Sequence, residues 1–356
     1  MAAELQWNEL DAGFSFDDLV SWQGRGREGF AQAAARIDTI VLGPHASAAF
    51  PRELEPFLSR ALTPRKQCDF SDLTARSLGR AWAAADPHVV FVENPVSRVV
   101  LDPDRAPPAD AIAGLREFFA RLRRQRAGEK VSFGGIDAIR PITFSGEDVL
   151  LEPQTPAAWD ELADALQGVI ANAVRPYRQA CERVVDEVLA TAPRRPFHVV
   201  SLHDTMNTRM RPDGAIVLGR REVERLPRWV NFGNKGDAQG EAVGDPLTMA
   251  PDELRRIALA WSAALGVAQA DRAASITLNT PYKGSYEATR FGERLMALGD
   301  PRIGAVQVEF RRESLLGPIA SAYLQEPGTD WPALDRQQLG DVVEALVAAG
   351  ARLRGD

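Results

Sequence analysis

Short apolar runs rich in β-branched residues recur along the chain, and each ends at a turn or at polar residues. The first is Asp38–Leu42, which stops at Gly43-Pro44. Continuous runs of this length are typical of strands buried on both faces of a parallel sheet. The same criterion predicts further strands at Val89–Val92, Arg98–Leu101, His198–Leu202, Ile216–Val217, Val230–Phe232, Ile276–Asn279 and Ala305–Phe310.

Segments with apolar residues at helical spacing alternate with these strands. In Phe70–Ala85, for example, Leu73, Leu78 and Ala81 fall on one side of a helix. Alternating strands and helices predict an α/β fold with a mostly parallel or mixed central sheet flanked by helices. Further helices are expected at Glu53–Leu62, Ala109–Arg126, Pro156–Leu189 (broken near Pro176), Asp252–Leu265, Gly284–Met296 and Asp335–Arg354, with a turn-rich hairpin over Val131–Leu151.

The amino-acid composition argues against several classes of function. The 356 residues are 45% hydrophobic, so the chain can bury a large core. The net charge of −7 argues against general binding of nucleic acid or of anionic membranes. Met1–Leu10 has no basic region ahead of an apolar run, and no apolar stretch reaches the ~20 residues of a membrane-spanning helix. A cytoplasmic protein is therefore expected.

Chain length alone is compatible with two domains of ~150 residues, although larger α/β domains are routine. We expect a single α/β domain over residues 1–356. Residues 106–195 would form a largely helical elaboration between its core strands.

Cysteines and histidines are scarce. Two cysteines exclude a disulfide scaffold and any cysteine-rich zinc or iron–sulfur site. Four histidines leave few candidates for metal ligation or catalysis. No P-loop and no Gly-x-Gly-x-x-Gly follows a predicted strand, so nucleotide binding has no support.

Polar, reactive residues follow several predicted strands. His45 follows the first, Asp102 to Arg105 follow the third, and His203 follows the fourth, while Glu309 lies inside the last. Ligands of open α/β sheets bind beyond the carboxyl ends of the strands. Two imidazoles and a carboxylate can hold zinc with a position left for water, and a second carboxylate can move the proton. A guanidinium can bind a substrate carboxylate at two points. The set indicates a mononuclear metal hydrolase.

Structural interpretations of the same residues remain open at this stage. Asp69 can cap the helix that follows it. Glu309 can pair with Arg311 or Arg290, and Arg98 and Arg105 can pair with Asp102 and Asp104, respectively. Two histidines, His88 in a loop and His198 at a strand start, are expected to be bystanders.

A set of motifs, in chain order, resembles those of the N-formylglutamate amidohydrolase family. The segments are Pro44-His45-Ala46-Ser47, Cys68-Asp69-Phe70, Ser97 to Arg105, Ile142 to Glu147, Arg175-Pro176-Tyr177, Ser201 to Asp204, Asn231 to Asn234, Pro281 to Tyr286 and Gln307-Val308-Glu309.

This resemblance implies a zinc-carboxypeptidase-like hydrolase fold and the hydrolysis of an N-formyl or N-acyl amino acid, a small acidic amide. It implies a zinc ion or another divalent metal held by His45, His203 and Asp69, with Glu53 as the alternative third ligand. Glu309 would be the general base. Substrate would be bound by Arg98, Arg105, Asp104, Asn234 and Tyr286.

Several positions depart from the family motifs. Asp104 replaces an asparagine beside Arg105, and Ala46-Ser47 replaces Ser-Gly after the first histidine. Around the second histidine, Ser201 occupies the position of an aspartate in the family motif, and Asp204 occupies the position of a serine. These changes predict a substrate other than N-formylglutamate. They also leave two alternatives: a non-catalytic binding member of the same fold, or a hydrolase of a larger peptide-like amide.

Overall fold

The computed structural model describes residues 4–9, 13–191 and 196–355. Residues 192–195 of the predicted helical elaboration lie outside this range. The strands are β1 (Trp7–Asn8), β2 (Val20–Trp22), β3 (Thr39–Gly43), β4 (Phe50–Pro51), β5 (Val89–Glu93), β6 (Phe197–Thr205), β7 (Thr208–Met210), β8 (Ile216–Gly219), β9 (Val230–Gly233), β10 (Ile276–Leu278) and β11 (Ile303–Arg311).

The α-helices are α1 (Phe16–Leu19), α2 (Phe30–Ala34), α3 (Pro64–Asp69), α4 (Leu73–Ala85), α5 (Ala111–Arg126), α6 (Pro156–Val169), α7 (Arg175–Thr191), α8 (Pro251–Ala264), α9 (Arg272–Ser275), α10 (Tyr286–Met296), α11 (Arg312–Leu316), α12 (Pro318–Gln325) and α13 (Arg336–Arg354). Short 3₁₀ turns cover Arg52–Phe57, Glu222–Glu224 and Gln269–Asp271.

A seven-stranded mixed sheet forms the centre, in the order β10-β9-β11-β6-β3-β5-β2. The four middle strands, β11, β6, β3 and β5, run parallel to one another. β9 pairs antiparallel with β11, and β2 pairs antiparallel with β5. The predicted fold class, α/β with a mixed central sheet, is confirmed. The apolar run at Ile216 belongs to the separate β7–β8 hairpin.

Helices cover both faces of the sheet. Val200, Leu202 and the even-numbered residues of β11 pack with α4, α8 and α13. Val199, Ala305 and Ile303 pack on the opposite face with α2, α7 and α10. Because side chains alternate along a strand, the residues that continue this second face toward the carboxyl end of β6 are Ser201, His203 and Thr205. The second face therefore leads into the region of reactive residues.

Two predicted strands need correction. Arg98–Leu101 forms a turn, with the Val100 amide donating to the Ser97 carbonyl at 3.2 Å. Val99 and Val100 are buried in a separate core beneath α5 and α6, so burial rather than strand pairing explains the apolar run. The predicted strand at His198 extends to Thr205, and His203 and Asp204 lie within it because β11 pairs with it over its full length.

The helices also differ in detail. The helix predicted at Phe70–Ala85 begins at Leu73 as α4, and the separate helix α3 ends at Asp69, before the predicted start. The segment Glu53–Leu62 contains only a 3₁₀ turn. The long segment Pro156–Leu189 continues through a π-helical turn at Ile170–Val174, which ends two residues before Pro176. Proline lacks an amide donor, and a π turn ahead of it tolerates the missing hydrogen bond. The single-domain boundary stays a prediction. No helix of the described residues is long and apolar enough to cross a membrane.

Candidate active site

The loop after β3 places His45 at the carboxyl end of the sheet. Gly43 ends the strand, and a Cβ there would lie 2.8 Å from the Phe91 ring, so only glycine fits. The Asn94 side chain donates to the Pro44 carbonyl at 2.9 Å. The loop is buried together with His45, so the imidazole has little freedom to move.

His203 and Glu309 lie side by side on the two central strands. Their Cα atoms are direct partners in the β6–β11 ladder, and both side chains are buried. Gln307 donates to Glu309 Oε2 at 2.9 Å. The arginines considered as structural partners are engaged elsewhere: Arg311 pairs with Glu313 and Arg290 with Glu182. Glu309 therefore faces the site without a guanidinium partner among the described residues.

Asp72 joins the two histidines from the start of α4. It occupies the N-cap position, but its side chain accepts no capping hydrogen bond. Asp204 takes that role, because its Oδ2 accepts from the Ala75 amide at 2.6 Å. The Asp72 amide donates to the His45 carbonyl at 2.8 Å. Asp204 thus leaves the Asp72 carboxylate available to the histidines.

Three acceptor atoms converge at this point. His45 Nδ1 and His203 Nδ1 are 3.2 Å apart. Asp72 Oδ2 is 3.3 Å from the first and 3.2 Å from the second. Zinc bonds of about 2.0–2.1 Å in a tetrahedron place ligand atoms about 3.3 Å apart. The three atoms are spaced like one face of a zinc coordination shell.

In each neutral imidazole the proton is on Nε2, where it donates to a fixed partner. Nδ1 of both rings therefore keeps a free lone pair in these tautomers. His45 Nε2–H donates to Asp102 Oδ1 at 2.7 Å. His203 Nε2–H donates to Ser201 Oγ at 2.9 Å, and the Ser201 hydroxyl donates onward to Glu287 at 3.3 Å. Partners of this kind orient metal-binding histidines. Three lone-pair donors facing one point fit a divalent cation.

A second carboxylate lies close to the same histidines. Ligand atoms of His45, Asp104 and His203 all lie within 4.8 Å of one another. Asp104 Oδ2 is 3.8 Å from His203 Nε2, and its Oδ1 accepts from the Glu287 amide at 3.0 Å. Asp104 is therefore on the opposite edge of the His203 ring from Asp72.

The electrostatics of the site favour a bound cation. Burial lowers the pKa of His203, but the Asp72 hydrogen bond and the charges of Asp104 and Glu309 outweigh it and raise the pKa to about 9. Burial likewise opposes ionisation of Asp72, yet its hydrogen bonds to both histidines hold its pKa well below the usual range. In the absence of an ion, a proton satisfies this demand for positive charge.

Burial also raises the pKa values of two nearby carboxyl groups. It raises the pKa of Glu309 to about 7, against the opposing charge of His203. It raises the pKa of Glu287 to about 7 as well, helped by the charge of Asp104. A carboxyl group with a pKa near neutrality can both accept and release a proton at the pH of the cell.

Comparison with known proteins identifies the family of this chain. The N-formylglutamate amidohydrolase family model matches residues 37–316. The chain belongs to the N-formylglutamate amidohydrolase family. A crystal structure of N-formylglutamate amidohydrolase from Ralstonia eutropha JMP134 has a TM-score of 0.52 at 15% identity, over 95% of this chain and 98% of that one. A gene product from Agrobacterium tumefaciens has a TM-score of 0.49 at 16% identity, over 91% and 92%. No curated protein matches the sequence.

Membership of the amidohydrolase family makes the protein a hydrolase of linear amide bonds. In this amidohydrolase, a cavity of about 280 Å³ opens beside His45, His203 and Glu309. The predicted residues Asp69, Arg98, Asp104 and Arg105 also line it.

Not every predicted residue reaches the cavity. Glu53 is exposed on a 3₁₀ turn. Asn234 is buried, and its side chain binds the carbonyls of Gly240 and Met249, so it holds a loop together. Neither Asn234 nor Tyr286 lines the cavity, and the tyrosine that does is Tyr282. The structure does not bring these three residues into the cavity, because motif order along the chain does not determine which way a side chain points.

The two arginines that were predicted to bind substrate, Arg98 and Arg105, both form ion pairs within the protein. Arg98 is bound to Asp102 through Nε at 3.1 Å and Nη2 at 2.5 Å, as the structural interpretation expected. Arg105 pairs with Asp137 at 3.3 Å and donates to the Asp104 carbonyl, not to its carboxylate. Asp69 lies 3.8 Å from Arg312. Both arginines border the cavity, but each already has a carboxylate partner.

Several cavity residues were not assigned to the site from the sequence, among them Asp72, Phe144, Arg220 and Tyr282. Asp72 stands three positions after Asp69 and directly before a helix, which was the available signal. Arg220 follows the β7–β8 hairpin, and nothing in its sequence context points to the site.

Proposed function

We propose that this family member is a metal-dependent amidohydrolase that cleaves an N-formyl or N-acyl amino acid. The observation that carries the proposal is the convergence of His45 Nδ1, His203 Nδ1 and Asp72 Oδ2 at 3.2–3.3 Å. These residues would hold zinc or another divalent ion, with Asp72 in place of Asp69. When bound, the ion supplies a Lewis acid that polarises the amide carbonyl and acidifies water.

The residues around the ligands keep the imidazoles oriented. Asp102 accepts from His45, and Ser201 accepts from His203 while its hydroxyl donates onward to Glu287. Arg98, held by Asp102, places its Nη1 3.1 Å from His45 Nδ1, and this contact would be given up when a metal binds there. Arg312, bound to Asp204 and 3.7 Å from Asp72, balances the negative charge of the cluster.

Glu309 is the proposed general base. Its raised pKa of about 7 lets the carboxylate accept the proton of the attacking water near neutral pH. As the water oxygen bonds to the amide carbon and the C–N bond breaks, Glu309 delivers that proton to the departing nitrogen. The products are the acyl carboxylate and the free amine of the amino acid.

The test combines metal analysis with an assay on the purified full chain. We expect bound zinc or another divalent metal, hydrolysis of members of an N-formyl and N-acyl amino acid panel, loss of activity with a chelator, and recovery on adding zinc. His45→Ala and His203→Ala should lose metal and activity together. His88→Ala is the matched control, because its ring binds the Arg36 carbonyl away from the site. A folded chain that binds no divalent metal, or that cleaves no amide on the panel, contradicts the proposal.

A further inference from the structure

The arginines that line the cavity differ in how their charge is compensated. Arg98 is bound to Asp102, Arg105 to Asp137 and Arg312 to Asp204. A substrate carboxylate that binds one of these three must displace a carboxylate already in place. Breaking such a pair leaves a charge partly buried and uncompensated, which is costly.

Arg220 is the exception. Its Nη1 donates to the Tyr282 hydroxyl at 3.0 Å and its Nη2 donates to Thr205 Oγ1 at 2.9 Å. Both partners are neutral, and its buried Nε has no hydrogen-bond partner. Across the described ranges, no carboxylate oxygen lies within 4.0 Å of this guanidinium. A guanidinium held in place by neutral groups retains donors for an anion.

The position of Arg220 relative to the catalytic residues follows from β6. Thr205, which holds Nη2, lies two residues beyond His203 on the same face of the strand, about 6.6 Å further along. Tyr282, which holds Nη1, lines the same cavity as Glu309. Arg220 therefore stands at the outer part of the cavity, beyond the histidine pair.

An apolar surface borders the same part of the cavity. Phe144 is 48% exposed, and its ring lies 5.4 Å from that of Phe70. Both rings line the cavity together with Arg220. Arg140, which does not line the cavity, lies over the Phe144 ring at 4.7 Å from its centroid, and Arg98 lies 5.0 Å from the same centroid. An exposed aromatic ring at the mouth of a polar cavity suits an apolar group of a ligand.

We propose that Arg220, with Tyr282, binds the single carboxylate of an N-acyl amino acid whose apolar part rests on Phe70 and Phe144. The inference rests on the proposed amide hydrolysis and specifies its substrate class. A dicarboxylate such as N-formylglutamate suits this cavity less well. The other cavity arginines, Arg98, Arg105 and Arg312, are each paired with a carboxylate, so a second substrate carboxylate would have to break one of these pairs.

The experiment measures binding separately from turnover. Sulfonamide analogues, which hydrolases of amides do not cleave, are titrated into the full chain: N-methylsulfonyl-L-phenylalanine, its carboxylate-free counterpart N-methylsulfonyl-2-phenylethylamine, and N-methylsulfonyl-L-glutamate. The variants are Arg220→Met and Arg220→Lys. Arg221→Met is the matched control, because the neighbouring Arg221 is exposed and paired with Glu224.

Arg220→Met should weaken binding of the phenylalanine analogue about 10- to 100-fold, the usual effect of losing hydrogen bonds to a charged group. It should leave the carboxylate-free analogue unchanged. Arg220→Lys keeps the charge and should recover part of the loss, and Arg221→Met should bind like the wild type. The glutamate analogue should bind the wild type more weakly than the phenylalanine analogue. Phe144→Ala should reverse much of that preference.

Each outcome decides a different point. Unchanged binding by Arg220→Met, tighter binding of the glutamate analogue, or no binding by the wild type overturns the inference. Turnover of the corresponding N-formyl compounds is then measured on the same variants. Binding that depends on Arg220 without any amide cleavage leaves the inference standing and rejects the proposed function. Amide cleavage whose rate does not change when Arg220 is replaced supports the proposed function and rejects the inference.

Discussion

His45 and His203 face each other through their Nδ1 atoms at 3.2 Å, although 158 positions separate them in the chain. Each ring uses its Nε2–H to bind a fixed partner, Asp102 for one and Ser201 for the other. Two neutral imidazoles in this arrangement direct two lone pairs at the same point. Repulsion between these lone pairs favours a cation or a proton between them, and Asp72 adds the third acceptor.

The third ligand can be identified by comparing two aspartates three positions apart. Asp72→Asn replaces a charged ligand by a neutral one and should lower zinc affinity by about 100-fold or more, beyond the 10- to 100-fold typical of losing an outer partner. Asp69→Asn should retain zinc, because Asp69 faces Arg312. Zinc per chain, measured against a competing chelator, reports both. Metal loss in Asp69→Asn alone would restore the assignment drawn from the sequence motifs.

Glu309→Gln tests the general base with almost no change in shape. The amide cannot accept the proton, so kcat should fall by about 10²- to 10⁴-fold. Zinc content and the affinity for the sulfonamide analogues should stay unchanged, since Glu309 is not among the three converging donors. Glu241→Gln, at an exposed glutamate paired with Arg255, is the control and should keep wild-type kcat. A variant of Glu309 with full activity would remove this residue from the mechanism.

The pH dependence of kcat/KM follows from the same group. Burial raises the pKa of Glu309 to about 7, and a bound cation acts in the opposite direction. The base works only when ionised, so kcat/KM should rise with pH, with a midpoint between the ordinary glutamate value of about 4.5 and 7. This rise of kcat/KM with pH should disappear in the residual activity of Glu309→Gln. A rate that falls as pH rises across this interval would contradict the assignment.

A second buried carboxylate, far from the catalytic residues, should govern acid stability. Glu253 accepts from His198 Nε2 at 2.6 Å and from Arg256 at 2.6 and 2.7 Å. These bonds outweigh burial and lower the pKa of Glu253 to about 2. The folded-state pKa is depressed, so the stabilisation is fully present above about pH 4.5 and is lost as the pH falls toward 2.

Glu253→Gln should therefore lower the free energy of unfolding by about 2 kcal/mol at neutral pH. In urea titrations repeated at decreasing pH, the difference from the wild type should shrink. Asp252→Asn is the control, because Asp252 is 99% exposed and its ion pair with Arg255 contributes little. An equal loss of stability in both variants, or a difference that persists at pH 2, would refute the role of the buried network.

The sequence by itself determined the α/β class, most strand positions and the two histidines that face each other. Buried parallel strands carry a local signature, namely short β-branched runs that stop at turns, and His45 stands directly after one of them. The same signature failed at Arg98–Leu101, because a buried turn needs apolar residues as much as a strand does. The ordered motifs from Pro44 to Glu309 were sufficient to indicate the family that the comparison then confirmed.

Only the tertiary structure decided which side chains are available for chemistry. In the sequence, Asp69 and Asp72 are equally good candidates because both stand close to the start of a helix. In the structure, Asp204 caps that helix by accepting from the Ala75 amide, 129 positions away in the chain, so the Asp72 carboxylate is available to the histidines. Arg98 and Arg105 match the motifs but are paired with Asp102 and Asp137, whereas among the described residues no carboxylate forms an ion pair with Arg220. Local sequence sets backbone conformation. The charge compensation of a buried group depends on contacts between distant segments, which no local pattern encodes.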